Sequence, residues 1–285
     1  MKTKKTRQVS LRQILLIVVI TFVATLLLTA TAEYYELNGV SLNNTEKEII
    51  VIENKIDSQP YSIWDFYDVP KVWQQYGKGK NIKVAILEHN YDMSVGLPYK
   101  EAIDFYCPYR ECDDFEFKGE NITHGTEMWG ILHNVAPEAD IYPLRHYGAY
   151  NLESLERALK WCDENEIDII VSAVLLEFNS EFIDNWIDNT PVKEIILASP
   201  PSFQNLYSAI YTHEKTTVIG IVESESNYDE IYGYWSSSNI RVVDKYLPEA
   251  YVLTTTNGGV MRQVYGTSPA SFVYAGITAC KMSKE

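Results

Sequence analysis

Apolar residues in this chain gather in short continuous runs rather than alternating with polar ones. Ile82 to Leu87, apolar except for Lys83, is the first, and Ile141 to Leu144, Ile195 to Ala198 and Val218 to Val222 repeat it. Runs of this length mark strands buried on both faces of a parallel sheet. Ile167 to Leu176 reads as a further, longer strand. Between the runs the spacing changes to that of helices. Met128, Ile131 and Leu132 share one face after His124. Asn151 is a good N-cap for a stripe of Leu152, Leu155, Leu159 and Cys162. Shorter helices are expected around Phe182 to Ile187 and Leu206 to Tyr211. This alternation predicts an α/β fold with a mostly parallel central sheet and helices on both faces.

The end of the chain breaks the alternation. Tyr251 to Thr255 and Met261 to Tyr265 flank Asn257-Gly258-Gly259, a strong hairpin signal. The hairpin runs into Gly266-Thr267-Ser268, after which Ala270, Val273, Tyr274 and Ile277 recur at helical spacing. Ser268 is therefore expected at a helix N-terminus, where unpaired amides and the positive end of the helix dipole favour a developing anion. A plain Ser N-cap on a buried terminal helix is the structural alternative.

The N-terminus has a different pattern. Residues 1–12 carry Lys2, Lys4, Lys5, Arg7 and Arg12 with no acid, followed by the uncharged run Ile14 to Ala32. This predicts export in one of two forms. Ala30-Thr31-Ala32 offers a signal-cleavage site, and an apolar run of about 19 residues is also long enough to anchor in a bilayer. Either form places the rest of the chain outside the cytoplasm. The expected organisation is a signal peptide or membrane anchor over 1–32, a polar linker or stub over 33–58, and one folded domain over 59–285. That domain opens on an aromatic lead-in with a short helix, containing Trp64, Phe66, Tyr67 and Trp73.

Charge narrows the partners. All 39 acidic residues and only 19 of the 24 basic ones follow the apolar run, so the exported part is strongly negative and nucleic acid is excluded as a partner. Cys107, Cys112, Cys162 and Cys280 match no metal-ligand spacing. Cys107 and Cys112 can close a small disulfide loop in an oxidising compartment, the alternative being buried free thiols. Asn43-Asn44-Thr45 and Asn121-Ile122-Thr123 are acceptor sequences for glycosylation only in a host that modifies them.

Three chemical groups stand in chain order: Glu88 at the end of a strand, His124 opening a helix, and Ser268 opening the last helix. That order and context resemble the subtilisin-like serine peptidase family over roughly Gln59 to the C-terminus. Val84-Ala85-Ile86-Leu87-Glu88 sits where the family has a strand ending in its catalytic Asp. His124-Gly125-Thr126 with Gly130 resembles the histidine motif, and Val135-Ala136-Pro137-Glu138-Ala139 the turn after its helix. Gly266-Thr267-Ser268, Ala270-Ser271 and Ala275-Gly276 resemble the serine motif. The resemblance implies acyl transfer at a peptide bond, with Ser268 as nucleophile, His124 as base and Glu88 orienting the imidazole. It implies peptide or protein substrates and no required cofactor; structural calcium is common in the family, but no loop here specifies it.

The chain also departs from the family. Its acid is Glu, one methylene longer than Asp, and serves only if its carboxylate lies within about 3.2 Å of a His124 ring nitrogen. Asp92 is a poor substitute because it lies past the strand end. The usual oxyanion-hole Asn is replaced in Ala198-Ser199-Pro200-Pro201-Ser202, and loss of such a donor costs about 10² to 10³ in turnover in subtilisin itself. Ser199, Ser202 or Gln204 would have to replace it. Ser172-Ala173-Val174 stands where the family has a Ser-x-Gly segment pairing with substrate. Glu127 replaces a second His, either raising the His124 pKa or facing solvent. The stub is short for an inhibitory pro-segment, and a late helix common in the family is missing. His89, His133, His146 and His213 read as structural or exposed, with His89 the one to check because it adjoins Glu88.

Two functions follow from these signals. One is an exported serine endopeptidase of reduced activity; the other is an inactive pseudopeptidase that binds peptides or a partner outside the membrane.

Overall fold

The computed structural model describes residues 67–105, 124–146, 151–174, 176, 180–199, 209–222, 243–248 and 252–283. The chain divides into two compact units, Met1–Lys47 and Glu48–Glu285, and every described residue belongs to the second. The expected signal or anchor, the linker, the Cys107–Cys112 bridge and both acceptor Asn residues lie outside the described residues.

Among the described residues seven strands form one sheet: β1 (Lys83–Glu88), β2 (Ile103–Asp104), β3 (Asp140–Arg145), β4 (Ile169–Ser172), β5 (Glu194–Ala198), β6 (Thr216–Val222) and β7 (Lys245–Pro248). Their spatial order is β2-β3-β1-β4-β5-β6-β7, and every pairing is parallel. The apolar runs occupy the middle of this sheet because both of its faces are covered. Val84, Ile86, Ile169, Val171 and Ile196 face one layer; Ala85, Leu87, Ile170, Leu197 and Val218 face the other.

The first layer contains α1 (Val69–Tyr76), α2 (His124–Val135) and α6 (Thr267–Met282). Pro70 occupies the first turn of α1, where its missing N–H is tolerated. The second contains α3 (Leu152–Glu164), α4 (Glu181–Asn189) and α5 (Ala209–Thr212). Asn151 caps α3 by accepting from the Ser154 amide at 3.0 Å, and Ser180 caps α4 by accepting from Ile183 at 3.1 Å. Outside the main sheet, β8 (Val252–Thr255) and β9 (Met261–Val264) form the expected antiparallel hairpin around a short 3₁₀ turn, Asn257–Gly259.

The strand expected over Ile167 to Leu176 is shorter, Ile169–Ser172. Its hydrogen-bond ladder is interrupted at both ends by side chains. Asp168 accepts from the Lys83 amide at 2.9 Å, and the Ser172 hydroxyl lies 2.9 Å from the Leu87 carbonyl and accepts from Val174 at 3.3 Å, which turns the chain. Two short strands, β2 and β7, are additional to the expected set.

Helix α6 lies against α2 and under the sheet, with buried residues around most of its circumference from Pro269 to Cys280. Gly276 makes this possible, because a Cβ there would stand 2.6 Å from the Val135 side chain. At the same end, the Trp73 indole donates to the Val135 carbonyl at 2.8 Å and the Ser283 hydroxyl reaches the Tyr76 carbonyl at 3.0 Å. Among the described residues no helix is long and apolar enough to cross a membrane.

Candidate active site

The carboxyl ends of β1 and β4 are neighbours, yet the chain leaves β1 toward β3 on one side and leaves β4 toward β5 on the other. Such a point of divergence opens a crevice at the carboxyl edge of a parallel sheet. Glu88 is the last residue of β1 and is completely buried at this edge. It is not the solvated strand-end carboxylate that its position permitted.

Both carboxylate oxygens of Glu88 are engaged. Oε2 lies 2.9 Å from His124 Nδ1, and Oε1 accepts from the Ala173 amide, just beyond β4, at 3.2 Å. The longer side chain thus spans from the end of its own strand to the first residue of α2 while remaining tied to the neighbouring strand. Gly125 allows the approach: a Cβ at this position would lie 2.0 Å from the Asn90 carbonyl oxygen and 3.2 Å from Glu88 Cβ.

The electrostatics follow from this contact. Burial alone would raise the Glu88 pKa, but the His124 charge and hydrogen bond, the His89 charge and the Ala173 amide together hold it below the ordinary value. The Glu88 charge raises the His124 pKa against the opposing effect of burial, and Glu127 adds to the rise. With Nδ1 held by the carboxylate, the other ring nitrogen is the one left to exchange a proton. This is the arrangement of an oriented imidazole base.

Ser268 sits on the second turn-forming position of α6. The cap is Gly266, which makes no side-chain cap bond, so the Ser268 hydroxyl is not consumed as an N-cap. Ser268 is half-buried and its carbonyl accepts from the Ser271 hydroxyl at 2.8 Å. Gly276 and Cys280 pack at Val135, the last residue of α2. His124 is the first residue of α2 and Ser268 the second of α6, so each stands at the N-terminal end of its helix. No hydrogen bond joins Ser268 to His124 among the described residues.

The other candidates are placed as follows. Asp92 is not in the site; it caps the 3₁₀ turn Met93–Val95 and accepts from the Gly258 amide at 2.7 Å. Glu127 does not face solvent but is buried and paired with Arg262 at 3.2 Å. Ser199 is buried at the end of β5, with its amide donating to Ile219 at 2.8 Å, so that amide is unavailable to an oxyanion. Pro200, Pro201, Ser202 and Gln204 lie outside the described residues. Ala173 and Val174 follow β4, and the Ala173 amide is already taken by Glu88.

His89 Nδ1 lies 3.3 Å from the His146 carbonyl, and His213 pairs with Asp188 at 3.3 Å. His133 is half-buried on α2, and burial lowers its pKa. His146 is fully buried, both ring nitrogens lack a hydrogen-bond partner among the described residues, and burial pushes its pKa down to about 4. Among the described residues no cluster of three or more His, Cys, Asp and Glu side chains is arranged to hold a metal ion. Cys162 and Cys280 are buried free thiols.

Compared as a sequence, the chain matches no known family and no curated protein. Compared as a fold, it is similar to the crystal structure of MycP1 with the N-terminal propeptide removed, at a TM-score of 0.56 and 15% identity, over 77% of this chain and 83% of that one. MycP1 is a mycosin, a subtilisin-like serine protease, and what this chain shares with it is the fold: a parallel-sheet α/β domain of the subtilisin-like kind.

Proposed function

We propose that the chain is an extracytoplasmic serine endopeptidase of weakened turnover. In this reading Ser268 attacks the carbonyl carbon of a peptide bond as its hydroxyl proton passes to His124. The tetrahedral adduct collapses as His124 returns that proton to the leaving amine, and water releases the acyl group by the same route in reverse. Glu88 holds the imidazole by Nδ1 and stabilises its charged form. The Ser268 amide, in the first turn of α6, is one oxyanion donor. The observation that carries this reading is the 2.9 Å contact between a fully buried Glu88 and His124. A buried carboxylate is costly unless it is paired, and pairing with an imidazole at the sheet's crevice serves proton transfer.

The substrate class is peptide or protein, and the chemistry requires no metal or other cofactor. The basic and apolar N-terminal segment supports export, with the domain outside the membrane. Turnover is weakened because the family's oxyanion Asn is replaced and the Ser199 amide is committed to the sheet.

A pseudopeptidase that binds peptides or a partner is the second reading. The absence of a hydrogen bond between Ser268 and His124 among the described residues favours it, although catalytic contacts in unliganded enzymes often tighten only with substrate. A fluorophosphonate probe separates the two. The full-length chain is expected to label, and Ser268→Ala is expected not to. A folded parent chain that does not label overturns the peptidase reading.

A further inference from the structure

The outward face of the β8–β9 hairpin is apolar and carries no charge. Among the described residues the exposed large apolar side chains gather here: Leu253, Val260, Met261 and Tyr265 are between 49% and 63% exposed, and Tyr99 is the one found elsewhere. Strand register explains the grouping. Leu253 stands opposite Gln263 and Thr255 opposite Met261, while Val252, Thr254 and Val264 are buried on the other face. The Thr254 hydroxyl donates to the Glu127 carbonyl at 2.6 Å, and Arg262, opposite Thr254, pairs with the Glu127 carboxylate at 3.2 Å. Arg262 is the one charged residue of the two strands and their turn, and it is directed at α2. Asp92, the acid that meets the turn, is committed to the Gly258 amide and to Ser94. A Cβ added at Gly258 or Gly259 meets nothing within 4 Å, so the turn projects into open space.

Size and charge choose among the occupants of such a face. Four half-exposed side chains make a patch on the order of a few hundred Å², below the roughly 800 Å² per partner of a stable dimer. Each copy also carries a net charge of −15, which opposes pairing. A lipid surface meets neither obstacle. The chain has 39 acidic residues, yet residues 251–284 contain none, so this is a part of an acidic protein that headgroup phosphates do not repel. Residues 14–32 are an uncharged apolar run, and residues 33–66 join it to the first described residue. At about 3.3 Å per residue that connection reaches roughly 110 Å, enough for any face of the domain to return to a bilayer holding the run.

From these observations we propose that the outward face of the β8–β9 hairpin docks on a lipid bilayer, with Leu253, Val260, Met261 and Tyr265 entering its interfacial region. Tyr265 brings the amphipathic ring that suits a membrane–water boundary. One weak element of this kind gives only reversible attachment, and stable anchoring takes two; the apolar run supplies the other. Docking does not depend on the peptidase reading. Ser268 stands four residues after Val264, the end of β9, so the same contact holds the start of α6 near the membrane surface.

The test mixes the full-length chain with phosphatidylcholine vesicles that carry a diazirine on the acyl chain, and maps the photolabel by peptide mass spectrometry. Label is expected in residues 253–265 as well as in 14–32. Met261→Asp and Val260→Asp are each expected to lower the hairpin label by about 10-fold, because binding scales with apolar area and a carboxylate resists leaving water. Label in residues 14–32 is expected to stay, and Met261→Leu to behave as the parent. Absence of acyl-chain label from residues 253–265 of the parent overturns the proposal, whatever is found at 14–32. Label that appears only when phosphatidylglycerol is added and survives both Asp variants assigns the contact to basic residues and also overturns it. A dimer in detergent that Met261→Asp dissolves makes a second copy the occupant instead. Protection of Met261 from peroxide in the lipid-free chain makes another segment of this chain the occupant.

Discussion

Glu88 meets His124 through Nδ1 at 2.9 Å while its second oxygen holds the Ala173 amide at 3.2 Å, so one carboxylate links β1, β4 and α2. Glu88→Asp shortens this link by about 1.5 Å, one carbon–carbon bond. On the same backbone an Asp cannot keep both contacts. If the chain is active, Glu88→Asp is expected to slow fluorophosphonate labelling by at least about 10-fold. Labelling at the parent rate would show that the longer acid has no geometric role.

The same pair sets a pH window for stability. The folded pKa of His124 is raised, so its contribution is complete below the ordinary value of 6.5 and is lost as pH rises through the raised one. The folded pKa of Glu88 is lowered, so its contribution is complete above the ordinary value of 4.5 and is lost as pH falls through the lowered one. Both are fully present only between these ordinary values. The difference in melting temperature between the parent chain and Glu88→Gln is therefore expected to be largest between pH 4.5 and 6.5 and to narrow on either side. A difference that does not vary with pH would exclude the ion pair as its source.

The strands and helices of the middle of the chain were legible because a doubly covered parallel sheet writes itself as unbroken apolar runs. β7 was not, since its Lys245-Tyr246-Leu247-Pro248 sequence belongs to the edge of the sheet. The positions of Glu88 and His124 followed from their order and local motifs, but the double engagement of Glu88 depended on where β4 ended. The Arg262–Glu127 pair spans 135 residues and has no local signature. His146 shows the same limit: a lone His after an apolar strand says nothing of whether it is enclosed.

That enclosure has a measurable consequence. His146 is neutral in the folded state down to a pKa of about 4, whereas an ordinary His takes up its proton near 6.5. Between those values the unfolded chain binds more protons, so stability falls as pH is lowered, by about 3 kcal/mol in all at about 1.4 kcal/mol per unit. His146→Leu removes this titration together with two ring nitrogens that have no partner among the described residues. It is expected to flatten the stability profile between pH 6.5 and 4 and to leave stability at neutral pH similar or higher. Urea melts at several pH values decide the matter; an equally steep profile in the variant would assign the loss to other groups.

The packing of α6 on α2 is closest at Gly276. A Cβ added there would meet Val135 Cβ and Cγ1 at 2.6 Å, closer than the two helices can accept without moving apart. Overpacking of this kind costs about 1–3 kcal/mol, and separation of the helices would shift α6, with Ser268 on it, relative to α2. Gly276→Ala is accordingly expected to lower stability and slow Ser268 labelling together. Val135→Ala alone removes buried methyl groups and is also destabilising. In the double variant, however, the new methyl occupies space vacated by the old ones, so the combined loss is expected to be smaller than the sum of the two single losses. Chemical denaturation of the four chains gives this coupling directly. Strict additivity would place the close contact elsewhere and remove Gly276 from the account of how α6 packs on α2.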